Sequence, residues 1–334
     1  MISMGKKDTI TKDYMKNNAV FADVFNHLMY EGKNVIQPEQ LRPFDTTTVV
    51  VSEDTDNFSH PIQKIRDQLK GVSLMEDGEK VYLLLGIENQ SELHYAMPVR
   101  NMLYDAMEYI TQVEERSKIN DNKRRQGLKE KISSGEFLTG FYKRDRLIPV
   151  VTLVVYFGAD AWDAPRNLHE MFDVRNKEIL KYIPDYKINL IIPAEMTDEE
   201  INQFQTNFRE VMLFVKYSKD KVHLKKLISE DVHFRNIDLK TARVISAITG
   251  SEIKLEYAEE EINMCQAIDE MVEDGREEGR KEGRKEERAA GISALIEIAQ
   301  EYLIPKEKLM KKLEEKFNLS AKEAEDYISL YMKS

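Results

Sequence analysis

The chain has 334 residues, a length that favours about two domains, with 42% hydrophobic and 33% charged residues. No apolar run approaches the roughly 18–20 residues that cross a bilayer, and a single cysteine, Cys265, excludes an internal disulfide and suggests no cysteine-built zinc site. A net charge of −11 argues against a polyanion binder acting through overall charge, and the first residues hold no signal-type apolar stretch, so a reducing cytoplasm is the expected location.

The charge is unevenly spread. Residues 116–146 hold ten Lys/Arg against four Asp/Glu, and 216–226 hold five lysines against Asp220. Residues 259–290 reverse the balance, with twelve acids against six bases. A nucleic-acid surface on the middle of the chain fits these runs, and so do solvated helix faces.

Residues 17–30 have apolar positions at helical spacing (Val20, Phe21, Val24, Phe25, Leu28), and residues 46–51 form a β-branched run that reads as a first strand. Residues 52–62 read as a polar loop. Asp77-Gly78 is a two-residue hairpin turn signal, which places Asp67 directly opposite Glu88, roughly 4.5–5.5 Å away at Cβ. Pro98 suits the first turn of a helix running to about residue 116, with Val99, Met102, Leu103, Ala106 and Ile110 as its apolar stripe. Residues 117–140 read as polar and partly helical.

The continuous apolar run 147–157 predicts a central strand covered on both faces, and 188–192 a second short buried strand. An irregular loop around Trp162 lies between them. Helical patterns follow at about 197–217, 220–229 and 237–248. From Asp274 to Glu287 a charge-alternating repeat places glycine every fourth residue, which predicts a polar helix or helical linker without a coiled-coil seam. Three short helical patterns over 292–332 are separated by Pro305 and by 318–320, and Ser320 to Glu323 has the form of a capping box.

The apolar strand 81–87 delivers Glu88 and Gln90 to its end, with Asp67 alongside. Two carboxylates and an amide converging there can hold a hard divalent cation, as a magnesium nuclease requires, while ordinary edge charges on a hairpin fit the same residues. Arg100, one turn into the next helix, reads either as a phosphate contact or as an exposed arginine. Lys123, Arg124 and Arg125, with Lys143 and Arg144, suit diffuse phosphate attraction without sequence readout. His94, His169, His223 and His233 stand singly; no P-loop and no Gly-x-Ser-x-Gly elbow is present.

Residues 86–104, with Glu88-Asn-Gln90-Ser and Met97-Pro-Val-Arg100 followed by Tyr104, resemble a signature of the recombination-promoting nuclease and transposase-like family, within the PD-(D/E)XK nuclease superfamily. Tyr156-Phe-Gly158, Trp162 and Pro165 to Glu170 look like a second signature of that family, and its Glu-Gly-Arg repeats recur in the tail. The likeness extends over roughly residues 14–250. It implies an α/β fold, a restriction-endonuclease-like mixed central sheet flanked by helices, which cleaves DNA with magnesium (manganese substituting). It also implies that Asp67 and Glu88 bind metal and that Gln90 stands where the superfamily carries lysine. The superfamily often adds an acid from the first helix, for which Asp23 is the nearest candidate.

The domain organisation expected is a nuclease-like domain over 1–258, a charged helical linker over 259–290 and a small helical module over 291–334. The leading function is a magnesium-dependent DNA endonuclease whose breaks promote recombination. The alternative is a catalytically weak or inactive binding or assembly protein on the same scaffold, in phage defence or a mobile element. A toxin-like RNase is a third reading. The expected partners are DNA and, through the C-terminal helices, a second copy or another protein, with no membrane.

Overall fold

The computed structural model describes residues 4–44, 47–50, 62–65, 67–76, 79–127, 131–250 and 261–331. The chain divides into two compact units, residues 1–265 and 266–334.

The first unit opens with α1 (Met4–Met15), which the sequence patterns did not announce, and α2 (Asn18–Tyr30). The Asn17 side chain accepts a hydrogen bond from the Ala19 amide and caps α2, whose Val20, Phe21, Val24 and Phe25 are buried. Strands β1 (Arg42–Pro43), β2 (Thr47–Val50), β3 (Ile62–Ile65), β4 (Gln68–Glu76) and β5 (Glu79–Gln90) follow. The β-branched run expected as a first strand does not enter the main sheet. It pairs with β3 in a separate antiparallel ribbon, and β1 takes the sheet's first edge beside β4. The expected loop lies largely outside the described residues, as does the Asp77-Gly78 turn; Glu76 pairs with Glu79 on either side of that turn.

Helix α3 (Met97–Arg125) continues nine residues past the expected end, and a short α4 (Ser134–Thr139) follows, held by a reciprocal Ser133–Glu136 capping box. Strand β6 (Val150–Tyr156), α5 (Lys177–Leu180) and β7 (Asn189–Ile191) complete the five-stranded sheet, in the order β1-β4-β5-β6-β7. Its β1, β4 and β5 run antiparallel, while β6 and β7 are parallel to β5. Such parallel neighbours need covering on both faces, and residues 152–157 of the apolar run are all buried.

The helical pattern expected over 197–217 is two helices, α6 (Asp198–Ile201) and α7 (Phe208–Tyr217). Asp23 explains the break: its carboxylate accepts the amides of Gln205 and Thr206 and the Thr206 hydroxyl, so the backbone there bonds to a side chain rather than to a helix. Then come α8 (Lys221–Glu230), β8 (Ile237–Asp238), α9 (Leu239–Thr249) and β9 (Glu261–Ile262), β8 and β9 forming a small antiparallel pair. This is the mixed α/β architecture expected, a mixed central sheet flanked by helices.

The charged repeat lies inside one long helix, α10 (Met264–Glu301), followed by α11 (Lys306–Phe317) and α12 (Ala321–Tyr331). Each interior glycine costs about 1 kcal/mol relative to alanine, which pairs such as Glu277–Lys281 (2.9 Å) partly offset. The second unit has its own core: Ile292 and Ile296 of α10, Leu309 and Leu313 of α11 and Ile328 of α12. Gly291 permits the close packing, since a Cβ there would lie 3.1 Å from the Phe317 ring. Among the described residues no helix is long and apolar enough to cross a membrane.

Candidate active site

Strands β4 and β5 pair in the register that a two-residue turn at 77–78 requires, Gln68 opposite Ile87 through to Glu76 opposite Glu79. Asp67 immediately precedes β4, beside Glu88. The two carboxylates hold each other's strands: Asp67 Oδ2 accepts the Asn89 amide at 2.9 Å, and Glu88 Oε1 accepts the Asp67 amide at 3.3 Å. Both are deeply buried, with side-chain exposures of 4% for Asp67 and 0% for Glu88.

Their remaining oxygens face cations. Asp67 Oδ1 lies 3.1 Å from Lys12 Nζ on α1, and Glu88 Oε2 lies 3.0 Å from Arg100 Nη2 on α3. Two buried negative charges without partners would be costly, and the two cations offset that cost. Burial works against the charge on Lys12, but Asp67 outweighs it and raises the ammonium pKa above its ordinary value. For Arg100, burial is likewise outweighed by Glu88 and by Tyr104, whose hydroxyl accepts from Arg100 Nε at 3.1 Å.

Asp67, Glu88 and Arg100 all lie within residues 63–242, which match the family model described as "Putative transposase, YhgA-like". That match covers more than half of the chain. The protein belongs to the YhgA-like transposase family. Membership points to a role of the transposase or nuclease kind. Searches among curated proteins and solved structures return no match.

In this YhgA-like chain the second sequence signature builds the wall beside the carboxylates. Glu88 pairs in register with Val154 of β6, and Gln90 with Tyr156. Trp162 packs edge-on against Tyr156 at 5.3 Å, within an apolar cluster that includes Met97 and Ile192. Gly158 is required here, because a Cβ at that position would collide with the Tyr156 ring. Gln90 is half-buried at the strand end, where its carbonyl accepts the Phe157 amide at 2.8 Å.

The face of α3 turned to the protein is not the apolar stripe expected. Val99 and Ile110 are exposed, whereas Met97, Asn101, Tyr104 and Asp105 are buried. Asp105 accepts the hydroxyls of Thr152 (2.6 Å) and Tyr186 (2.5 Å), whereas the Asn101 amide is buried without a hydrogen-bond partner among the described residues, so this face is substantially polar. A period-based reading that counts only apolar residues selects the wrong side of such a helix.

Asp23 is engaged at the break between α6 and α7, as described above, and lies in no carboxylate pair with Asp67 or Glu88. The first helix contributes a cation to Asp67, and sequence reasoning missed it because α1 has no strong apolar period. Lys123, Arg124 and Arg125 end α3, some 24 residues after Arg100, or about 36 Å along the axis at 1.5 Å per residue. They therefore form a second basic region rather than part of the carboxylate site. Arg124 pairs with Asp121 and lies 4.6 Å over the Phe137 ring. A cavity of about 490 Å³ is lined nearby by Lys131, Tyr142, Lys143, Arg144 and Arg146. The acid beside it, Glu136, is held down to about 2 by the Ser133 and Lys143 amides, so it is spent on local structure.

The donor set suits a hard cation. Asp67 and Glu88 each keep one oxygen that no backbone amide holds and that faces a side-chain cation, and magnesium is commonly held by one or two carboxylates, with water and substrate phosphate completing its shell. Among the described residues no group of three or more His, Cys, Asp or Glu forms a denser metal cage. A further cavity of about 620 Å³ is lined by Tyr14, Phe204, Arg209, Glu210 and Asp238, but its carboxylates are committed: Glu210 to Arg209, and Asp238 to the amides of Lys240 and Thr241 at the start of α9.

Proposed function

We propose that this protein is a magnesium-dependent DNA endonuclease, centred on Asp67 and Glu88, whose breaks promote recombination. The observation that carries the reading is the paired carboxylates at the ends of adjacent strands, each with one oxygen fixed by backbone and one turned to a cation. A magnesium ion bound there would polarise the phosphodiester and lower the pKa of a water. Asp67 and Glu88 would supply its protein oxygens. Water adds to phosphorus, one P–O ester bond breaks, and the leaving oxygen takes up a proton, giving a phosphomonoester and a hydroxyl.

The other residues orient this centre. Arg100, held between Glu88 and Tyr104, fixes the glutamate and stands near where a scissile-strand phosphate would approach. Gln90 offers an amide that hydrogen-bonds water or phosphate but adds no charge. Lys123, Arg124 and Arg125 attract the backbone further along the duplex, and the separation of about 36 Å from Arg100 is close to one turn of B-form DNA.

A second reading is an assembly protein on the same scaffold. It draws on the complete burial of Glu88 and on exposed apolar residues of the second unit, Ile298, Tyr302 and Leu330, which suit a second copy or another protein. Plasmid DNA incubated with the protein in magnesium, in manganese and in EDTA separates the two. Metal-dependent nicking supports the nuclease. A folded wild type that binds no manganese and leaves DNA intact in every condition supports assembly.

A further inference from the structure

Gln90 leaves the proposed centre without a positive charge of its own at the strand end, yet phosphodiester cleavage builds negative charge on the phosphate oxygens. Among the described residues, two cations form ion pairs with the carboxylates, and their settings differ. The Arg100 guanidinium is divided between Glu88 and Tyr104, with its side chain 28% exposed. The Lys12 side chain is 38% exposed, and its ammonium is shared between Asp67 at 3.1 Å and Asp8, one turn earlier on α1, at 3.2 Å. It is a solvent-reachable charge aimed at the buried pair.

Its backbone is anchored as well. Gln68, the residue after Asp67, donates through Nε2 to the Lys12 carbonyl at 3.3 Å, and Lys70 donates through Nζ to the Lys16 carbonyl at 2.8 Å. Two side chains of β4 thus fasten the end of α1, at Lys12 and at Lys16 just after it, beside the carboxylates. Lys12 lies outside residues 63–242, so the family match assigns it nothing.

We propose that Lys12 is the catalytic lysine of this centre, supplying from α1 the positive charge that Gln90 cannot, by donating to a phosphate oxygen of the scissile bond. This rests on the nuclease reading above. The ammonium stays protonated throughout; it neither gives up nor receives a proton and stabilises only the charge developing on phosphorus-bound oxygen.

The test uses the full chain and four variants: Lys12→Met, Lys12→Arg, the double variant Lys12→Met/Gln90→Lys, and Glu88→Ala as the inactive reference. Lys12→Met is expected to lose about 10²–10³-fold in plasmid nicking, the scale for removing one charge-stabilising donor. Lys12→Arg retains part of the rate, and Gln90→Lys restores most of it in the Lys12→Met background. Manganese binding, followed calorimetrically without DNA, should tighten in Lys12→Met, because a competing cation leaves Asp67. A lysine that served only the fold would weaken both readouts together.

Nicking by Lys12→Met at the wild-type rate overturns the assignment. So does a folded, inactive Lys12→Met that Gln90→Lys does not rescue. If wild type nicks no better than Glu88→Ala, the nuclease reading itself fails. That outcome is distinct, because the first two require an active wild type and an inactive Glu88→Ala.

Discussion

At the scale of single residues, the two site carboxylates are each paired with a cation and tied to a backbone amide. Glu88 is the extreme case, fully buried with Arg100 at its outer oxygen. Arg100→Ala would leave that carboxylate uncompensated, which costs about 3–5 kcal/mol in comparable buried pairs. Urea unfolding of the variant at neutral pH should show a loss of that order. Lys70 is a buried lysine of the opposite kind. Burial lowers its pKa to about 8, and it donates to the Lys16 carbonyl and to Asn18 Oδ1 with the Phe21 ring 4.2 Å away. Between pH 8 and about 10.5 the unfolded chain holds a proton on this lysine that the folded chain has released, so its contribution to stability rises with pH over that window. Thermal melts at pH 7.5 and 9.5 should show that rise in wild type relative to Lys70→Met, which lacks the titrating group.

At the scale of elements, what could be read in the sequence depended on whether local pattern or long-range partners set the structure. The β4–β5 register followed from the Asp77-Gly78 turn and the strict two-residue period of strands, so the neighbourhood of Asp67 and Glu88 was visible in advance. The burial of β6 was equally visible, because a short β-branched run that is apolar except for Thr152 reads as a strand covered on both faces. Helix α3 is legible, but its inward face is not: Asn101, Tyr104 and Asp105 face inward, and the partners of Asp105, Thr152 on β6 and Tyr186, are distant in sequence and encoded in no local period. The break between α6 and α7 was hidden for the same reason: Asp23, some 180 residues earlier, takes the amides that would have continued the helix. Lys12 was invisible because its role exists only once α1 is laid against β4.

At the scale of the whole molecule, an acidic chain concentrates its positive charge on the distal part of α3 and the loop around Lys143 to Arg146. If that region grips the duplex about one turn from the cut, the length of DNA matters. Replacing Lys123, Arg124 and Arg125 together with alanine should reduce the salt slope of DNA binding by roughly two to three phosphate contacts, read by anisotropy on a duplex extending well beyond one turn. On a duplex of about eight base pairs, too short to reach, the same variant should bind like wild type. The carboxylate pair remains the proposed chemical centre of the molecule. Its most direct measurement is the rate of plasmid nicking in magnesium by wild type, Asp67→Asn and Glu88→Gln, each shown to be folded. Both variants keep the shape of the side chain and remove one charge. Wild-type nicking is expected to require magnesium and to fall at least about 100-fold in each variant. Nicking by folded Glu88→Gln at the wild-type rate would contradict that expectation.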